Sequence, residues 1–174
     1  TLIDELFELA KLDFKGVAVN REPIPLAELA ADVVQKFQLA ADDKSVLLAI
    51  DAQPHLPFVQ ADVSLMERVL DNLIGNALRY GNTARVGMVR HGTWVTITVS
   101  DDGPGIPEVD LDRMLEPFTR GDPSRNSATG GAGLGLTLAR AIADQHGGAL
   151  QLANRRDGSG NIAGLTATLR LPLS

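Results

Sequence analysis

The 174 residues include no cysteine. Disulfides and thiolate metal sites are therefore excluded, and a reducing compartment is compatible with the chain. Aromatic residues make up only 4% of it against 44% hydrophobic residues overall, so the core has to be mostly aliphatic. Histidine is scarce as well: His55, His91 and His146 stand far apart. No apolar run approaches the length needed to cross a bilayer, and no signal-peptide pattern opens the chain. Positive charge is in deficit, with a formal net charge of -6. That balance disfavours a sequence-independent grip on nucleic acid phosphates, so an anionic ligand needs a local site. The length fits one domain with a real core, and the opening Thr1 suggests a piece of something longer.

What is present is organised around Ser100-Asp101-Asp102-Gly103-Pro104-Gly105-Ile106-Pro107. Before it, Val95, Ile97 and Val99 alternate with more polar residues, the period-2 pattern of a half-buried strand. A carboxylate is thus delivered at a strand end. Gly103 and Gly105 remove side chains where the backbone must turn, and Pro104 and Pro107 stiffen the exit. Such a corner can offer one acid to a flat ligand lying close to the backbone.

The chain opens with Leu2, Ile3, Leu6, Phe7, Leu9 and Ala10 at helical spacing, and Gly16 with Asn20-Arg21-Glu22-Pro23 reads as its end and a linker. Beyond Pro25, the positions Leu26, Leu29, Ala30, Val33, Val34 and Phe37 make a second amphipathic helix, followed by a short apolar strand over residues 45–50. Phe58-Val59-Gln60 is expected to pair briefly with a sheet. Asp62 is a plausible N-cap for a helix running to about Tyr80, with Gly81 as its stop. At about 100° per residue, Asn72, Asn76, Arg79 and Tyr80 share one stripe of that helix, and Leu70, Ile74, Ala77 and Leu78 lie on the other side. Glu67 falls half a turn from the Asn stripe and is a poor candidate to share its ligand. Residues 85–89 and 94–100 form an antiparallel pair across His91-Gly92. Residues 109–115 are expected to form a short helix. Between Thr119 and Gly131 there is no apolar periodicity, so that stretch reads as a mobile loop. Gly130-Gly131-Ala132-Gly133-Leu134-Gly135-Leu136 leads into a helix stopped by Gly147-Gly148, and two strands finish the chain around the loop of residues 155–160.

A glycine-rich stretch entering a helix exposes backbone N–H groups at the positive end of the helix dipole, which suits phosphate. It is not a Walker A loop, since no Lys-Ser or Lys-Thr pair follows, and it lacks the acidic ribose ligand of a dinucleotide fold. Asn76 can offer a carbonyl oxygen to a hard cation such as Mg²⁺, which binds few protein groups besides waters and substrate phosphates. Base recognition, metal and phosphate contact thus occur in one order along the chain.

These residues resemble a family: the histidine kinases of two-component signalling, within the wider group of gyrase, Hsp90 and MutL-type ATPases. Asn72-Leu73-Ile74-Gly75-Asn76-Ala77-Leu78-Arg79-Tyr80 is similar to the N box, and Asp101-Asp102-Gly103-Pro104-Gly105-Ile106 to the first glycine box. Glu116-Pro117-Phe118-Thr119-Arg120 is similar to the F box, and Gly131-Ala132-Gly133-Leu134-Gly135-Leu136 to the second glycine box. The resemblance implies a two-layer α/β sandwich of the Bergerat type, a mixed, mostly antiparallel sheet with three helices on one face and a flexible ATP lid over residues 119–130. It implies residues 1–16 as the tail of a dimerisation and phosphoacceptor helix, 17–24 as a linker and 25–174 as the ATP-binding catalytic domain.

By the same resemblance, Asp101 accepts the adenine amino hydrogen, Asn76 holds Mg²⁺, Tyr80 lies near the base, and Arg79 and Arg120 face the phosphates. Asn72, Gly103, Gly105, Ile106, Phe118, Gly131, Gly133, Leu134, Gly135 and Leu136 complete the implied ATP contacts. The implied partners are ATP and ADP, a response-regulator receiver domain and the protein's own dimerisation helices in a homodimer, with no nucleic acid and no membrane contact by this chain. The implied place is the cytoplasm, whether or not the parent protein is anchored in the inner membrane. Two departures stand out: Asp102 where relatives often carry Asn, adding negative charge beside the site, and Ala132 where a hydroxyl residue is frequent. No histidine of the chain sits in a helical acceptor context, and solvated or capping roles fit all three. The rivals are an ATP-hydrolysing clamp, which typically places Glu where this chain has Asn72, a non-catalytic pseudokinase scaffold and a related serine kinase.

Overall fold

A computed structural model describes residues 19–115 and 132–173, with backbone alone for 132–134. The expected first helix, the Glu116 to Arg120 box and the loop up to Gly131 lie outside the described residues. The elements run β1 (Glu22–Ile24), α1 (Leu26–Asp43), β2 (Leu47–Ala52), β3 (Val59–Ala61), α2 (Val63–Tyr80), β4 (Thr83–His91), β5 (Trp94–Asp101), α3 (Ala132–Gln145), β6 (Ala149–Arg156) and β7 (Ile162–Pro172). Five strands form a mixed sheet in the order β2-β4-β5-β7-β6. Only the β2–β4 pair is parallel; the other pairs are antiparallel.

Strand parity decides what faces the helices. Ala84, Val86 and Met88 on β4, Val95, Ile97 and Val99 on β5, and Ala167, Leu169 and Leu171 on β7 are all buried. The alternate positions Thr96, Thr98, Ser100, Thr166 and Thr168 occupy the opposite face, where the Ser100 and Thr166 hydroxyls meet at 3.0 Å. This is the apolar-in, polar-out alternation of a sheet covered on one side. Continuing the β5 parity puts Asp101 on the covered face and Asp102 on the other, so Asp101 is only 5% exposed.

The helices supply the second layer. On α1, Leu26, Ala30, Val33, Val34 and Ala41 are buried, and on α2, Met66, Val69, Leu70, Leu73, Ile74, Ala77 and Leu78. Glu67, as its place half a turn from the Asn stripe implies, points elsewhere and pairs with Lys36 of α1 at 3.4 Å. The α2 start follows its expected chemistry: Asp62 Oδ1 accepts the Leu65 N–H at 3.2 Å, which satisfies one of the helix's orphan donors. Its end does not rest on a left-handed glycine. Gly81 has φ -109°, and a Cβ there would lie 2.9 Å from Asp101 Cβ. Close approach to the end of β5, not backbone handedness, is what requires glycine.

Three elements differ from the sequence reading. The linker segment carries β1, which pairs with β3 as a separate two-stranded sheet; Ile24 lies opposite Val59, both buried. Phe58, expected in that strand, precedes it and is 61% exposed. Residues 109–115 form two single 3₁₀ turns, Glu108–Asp110 and Arg113–Leu115, in place of a helix. Val109 is 78% exposed there, so no apolar stripe holds a longer helix to the core.

His146, at the end of α3, ties this layer together. Its Nδ1 lies 2.8 Å from the Ile142 carbonyl, and Nε2 lies 3.0 Å from the Asp62 backbone nitrogen. The first contact needs N–H on Nδ1 and the second a bare Nε2, so the ring is neutral. Burial pushes its pKa below 6.5; the Ile142 carbonyl opposes this, nearby Arg21 adds to it and Asp62 opposes it. With the folded pKa depressed, the unfolded chain binds the proton more readily, so stability is full above about 6.5 and falls as the pH drops below it. Urea unfolding at about pH 7.5 and about pH 5.5 should show that loss in the wild type and a smaller one in His146→Gln. An equal loss in both would remove His146 from the account.

Candidate nucleotide site

The polar stripe of α2 meets the end of β5. Asn76 and Tyr80, one turn apart and half-buried, line a cleft of about 230 Å³ together with Asp101, Pro104, Gly105, Ile106, Met114, Leu136 and Leu165. Its surface is mostly apolar, and Asn76, Tyr80 and Asp101 are the lining residues that carry polar side chains. The volume falls below the roughly 300 to 1,000 Å³ typical of sites enclosing a whole drug-sized ligand. It suits a flat heterocycle, with the remainder of a nucleotide extending past the start of α3.

Asp101 is held in place by its neighbours. Its Oδ1 accepts the Gly103 N–H at 2.8 Å, and its backbone carbonyl accepts Arg155 Nη1 at 3.0 Å. Burial raises its pKa above 3.8; the N–H groups of Gly103 and Leu165 oppose the rise, Asp102 adds to it and Arg155 opposes it. The carboxyl group thus sits in a poorly hydrated pocket, where one hydrogen bond from an exocyclic amino group to its oxygen counts for more than it does in water. A guanine carbonyl would set acceptor against acceptor there. This is the kind of mismatch that discriminates strongly.

Glycines let the backbone close around that carboxylate. A Cβ on Gly103 would lie 2.5 Å from the Tyr80 carbonyl oxygen, so the loop leaving β5 and the end of α2 could not approach as they do. Gly105 adopts φ +69°, in the left-handed region that favours glycine.

The structure brings together Asn76, Tyr80, Asp101, Gly105, Ile106 and Leu136 from the expected set, and Gly103 packs immediately behind them. Asn72 and Arg79 are not among the lining residues. Asn72 donates its side-chain amide to the Gly135 carbonyl at 3.1 Å and so joins α2 to the first turns of α3. Arg79 is exposed in the last turn of α2. Gly133, Leu134 and Gly135 lie inside α3, so these residues of the second glycine box already belong to the opening of the helix. Phe118, Arg120 and Gly131 fall outside the described residues.

Asp102 has a different task from the one its charge suggests. Its Oδ1 accepts the N–H groups of Asn82 at 2.6 Å and Thr83 at 2.8 Å, closing the turn from α2 into β4. The Thr83 N–H and, behind it, that of Asn82 hold its pKa below 3.8. The carboxylate belongs to the turn and does not line the cleft.

Sequence reasoning missed Met114, Leu165, Asn154, Arg155 and Gly164. Gly164 alone carried a signal, since an isolated glycine within a strand pattern suggests a bulge or a close backbone approach. The β6–β7 register does shift between Arg155 and Arg156, beside Gly164.

As for a cation, no group of three or more His, Asp or Glu side chains placed to hold a metal occurs among the described residues. Asn76 lines the cleft and carries an amide oxygen, and one side-chain oxygen is what Mg²⁺ asks of a protein when waters and phosphates complete its shell.

Residues 61–174 match the family model described as histidine kinase-, DNA gyrase B- and HSP90-like ATPase. The chain belongs to this family. It is 40% identical over 148 residues to the sensor protein RstB of Escherichia coli, covering 84% of this chain and 34% of RstB. The fold is similar to that of part of full-length ShkA in complex with AMPPNP, at TM-score 0.84 and 22% identity, over 99% of this chain and 35% of ShkA. It is also similar to that of part of the histidine kinase ThkA in complex with the response regulator TrrA, at TM-score 0.78 and 22% identity, over 99% of this chain and 46% of that one. The chain spans about a third of the length of RstB, and 28% and 44% of two further curated relatives, the sensor histidine kinases WalK of Bacillus subtilis and SenX3 of Mycolicibacterium smegmatis. Within that group it corresponds to the ATP-binding catalytic domain of sensor histidine kinases.

Proposed function

We propose that this domain binds Mg-ATP and passes its γ-phosphoryl group to a histidine on a dimerisation helix outside residues 25–174, for relay to an aspartate of a response regulator. The observation that carries the reading is the buried Asp101 carboxylate at the end of the apolar cleft, with Asn76 beside it and the start of α3 at its edge. The AMPPNP of ShkA and the response regulator of ThkA support the nucleotide and the partner. Asp101 and Ile106 fix the base. The N–H groups at the start of α3 favour the phosphates electrostatically. Mg²⁺, held through the Asn76 amide oxygen, would neutralise phosphate charge. Arg79 and Arg120 are assigned to the phosphate side.

Catalysis is then positioning and charge neutralisation. The neutral acceptor imidazole forms the N–P bond while the bond from the γ-phosphorus to the β–γ bridging oxygen breaks and ADP takes the electron pair. No base of this domain is needed. A hydrolytic clamp would require a residue that activates water, and Asn72, an amide donated to the Gly135 carbonyl, provides no base. The parent is a homodimer through its phosphoacceptor helices and works on the cytoplasmic side. Among the described residues, no helix is long and apolar enough to cross a membrane.

The test uses the 174-residue chain with ATP labelled at the γ position. It should bind Mg-ATP, hydrolyse it only slowly, take up no stable label itself and label an added phosphoacceptor helix of the parent protein in acid-labile form. Stable label on the isolated chain, or brisk hydrolysis, would overturn the assignment.

A further inference from the structure

The loop after Asp101 belongs to no helix or strand until Glu108, yet it supplies Pro104, Gly105 and Ile106 to the cleft wall. Something must fix its backbone. Asn154, half-buried on β6, does so with both ends of its amide. Its Oδ1 accepts the Ile106 N–H at 2.9 Å, and its Nδ2 donates to the Ile106 carbonyl at 2.6 Å. One side chain thereby meets both backbone groups of one residue, as a neighbouring strand would. Only an amide side chain has a donor and an acceptor at that spacing; Asp has two acceptors and Ser a single oxygen.

The surroundings are built for this contact. A Cβ on Gly105 would lie 2.6 Å from Asn154 Oδ1, so the absence of a side chain there admits the clamp. Glu108, next along the loop, pairs with Arg156 two residues after Asn154. Arg155, between them, donates to the Asp101 carbonyl. β6 is not the neighbour of β5, because β7 lies between them. The contacts cross at Gly164, where the intervening strand has no side chain and the register is bulged.

We propose that Asn154 is a positioning residue for base recognition: by holding Ile106 it sets the cleft wall against Asp101, and so determines adenine affinity and the choice of adenine over guanine. This rests on the nucleotide reading given above. The test compares the wild-type chain with Asn154→Ala, which loses both hydrogen bonds, and Asn154→Asp, which keeps the acceptor but turns a carboxylate toward the Ile106 carbonyl and Glu108. Each is measured for Mg-ADP and Mg-GDP affinity, and without nucleotide for hydrogen exchange at the Ile106 amide. Asn154→Ala should exchange that proton much faster, weaken Mg-ADP binding by about tenfold to a hundredfold, and narrow the ADP-to-GDP ratio. Asn154→Asp should weaken Mg-ADP comparably, and it carries the test if the alanine variant does not fold. A purely structural role would lower the nucleotide-free melting midpoint and leave the ADP-to-GDP ratio alone, which would overturn the proposal. Should the wild type itself fail to bind Mg-ADP, the nucleotide reading falls and this inference with it; wild-type binding with an unchanged ratio in both variants sinks the inference alone.

Discussion

Asp101→Asn should abolish the thermal stabilisation that Mg-ADP or Mg-ATP gives the wild-type chain, while leaving the nucleotide-free domain at least as stable as before. The two halves have separate causes. Asparagine keeps an oxygen for the Gly103 N–H, so the loop retains its 2.8 Å anchor, but it exchanges a charged acceptor for an amide facing the base. Because burial raises the Asp101 pKa in the folded state, the native chain binds the proton more readily than the unfolded one. A raised carboxylate pKa means a charge that costs stability at neutral pH, and that cost fades as the pH falls through the folded pKa. Removing the charge removes the cost. At a nucleotide concentration of about 100 times Kd, binding adds about 2.7 kcal/mol, or roughly 5 to 10 °C in a domain of this size. Wild type should show that shift and Asp101→Asn almost none, and the wild-type shift should itself shrink in acid as Asp101 protonates. A mutant that keeps the full shift would mean that the base is not read by this carboxylate.

The main features of the site were legible because they follow from local rules. The α2 stripe places Asn76 and Tyr80 together by helical period, and β5 alternation alone puts Asp101 on the inner face. The bracing residues obey no such rule. Asn154 and Arg155 reach Ile106 and Asp101 across β7, so their roles exist only once the strand order is known. Asn72 shows the converse. Its helical phase matched that of Asn76, yet the glycine at position 135 brings α3 close enough to take its amide, with a Cβ there only 3.4 Å from Asn72 Cγ. Asp102 likewise looked like added charge beside a ligand until the α2–β4 turn was seen to end in its carboxylate. β1 escaped notice and β3 was placed one residue early, because three residues are too few for periodicity to register; their pairing depends on a partner some 35 residues away.

The other large effect is expected at Gly164, which touches no ligand and lies in a strand. It adopts φ +148°, and a Cβ there would fall 2.0 Å from the Asp101 carbonyl oxygen. Neither the backbone conformation nor the contact admits a methyl group, so Gly164→Ala should cost about 2 to 4 kcal/mol. Gly158→Ala, with nothing within 4 Å of its Cβ, serves as the neutral control. Loss of stability alone would not tie Gly164 to the site, so a second comparison is needed. Gly148→Ala meets a similar obstacle, 2.0 Å from the Arg170 carbonyl oxygen, at the other end of the β6–β7 pair. Both variants should be destabilised, but relief at Gly164 must displace Asp101 or the Arg155 contact that holds it, whereas relief at Gly148 leaves the cleft alone. Measured at temperatures where each remains folded, Mg-ADP affinity should fall at least tenfold in Gly164→Ala and stay near wild type in Gly148→Ala, roughly the worth of one strong hydrogen bond lost from the base. Equal affinities would show that the bulge supports the sheet only. Unequal ones would show that the end of β5 is placed by its neighbour strand, and that the carboxylate reading the base is only as well aimed as the glycine beneath it allows.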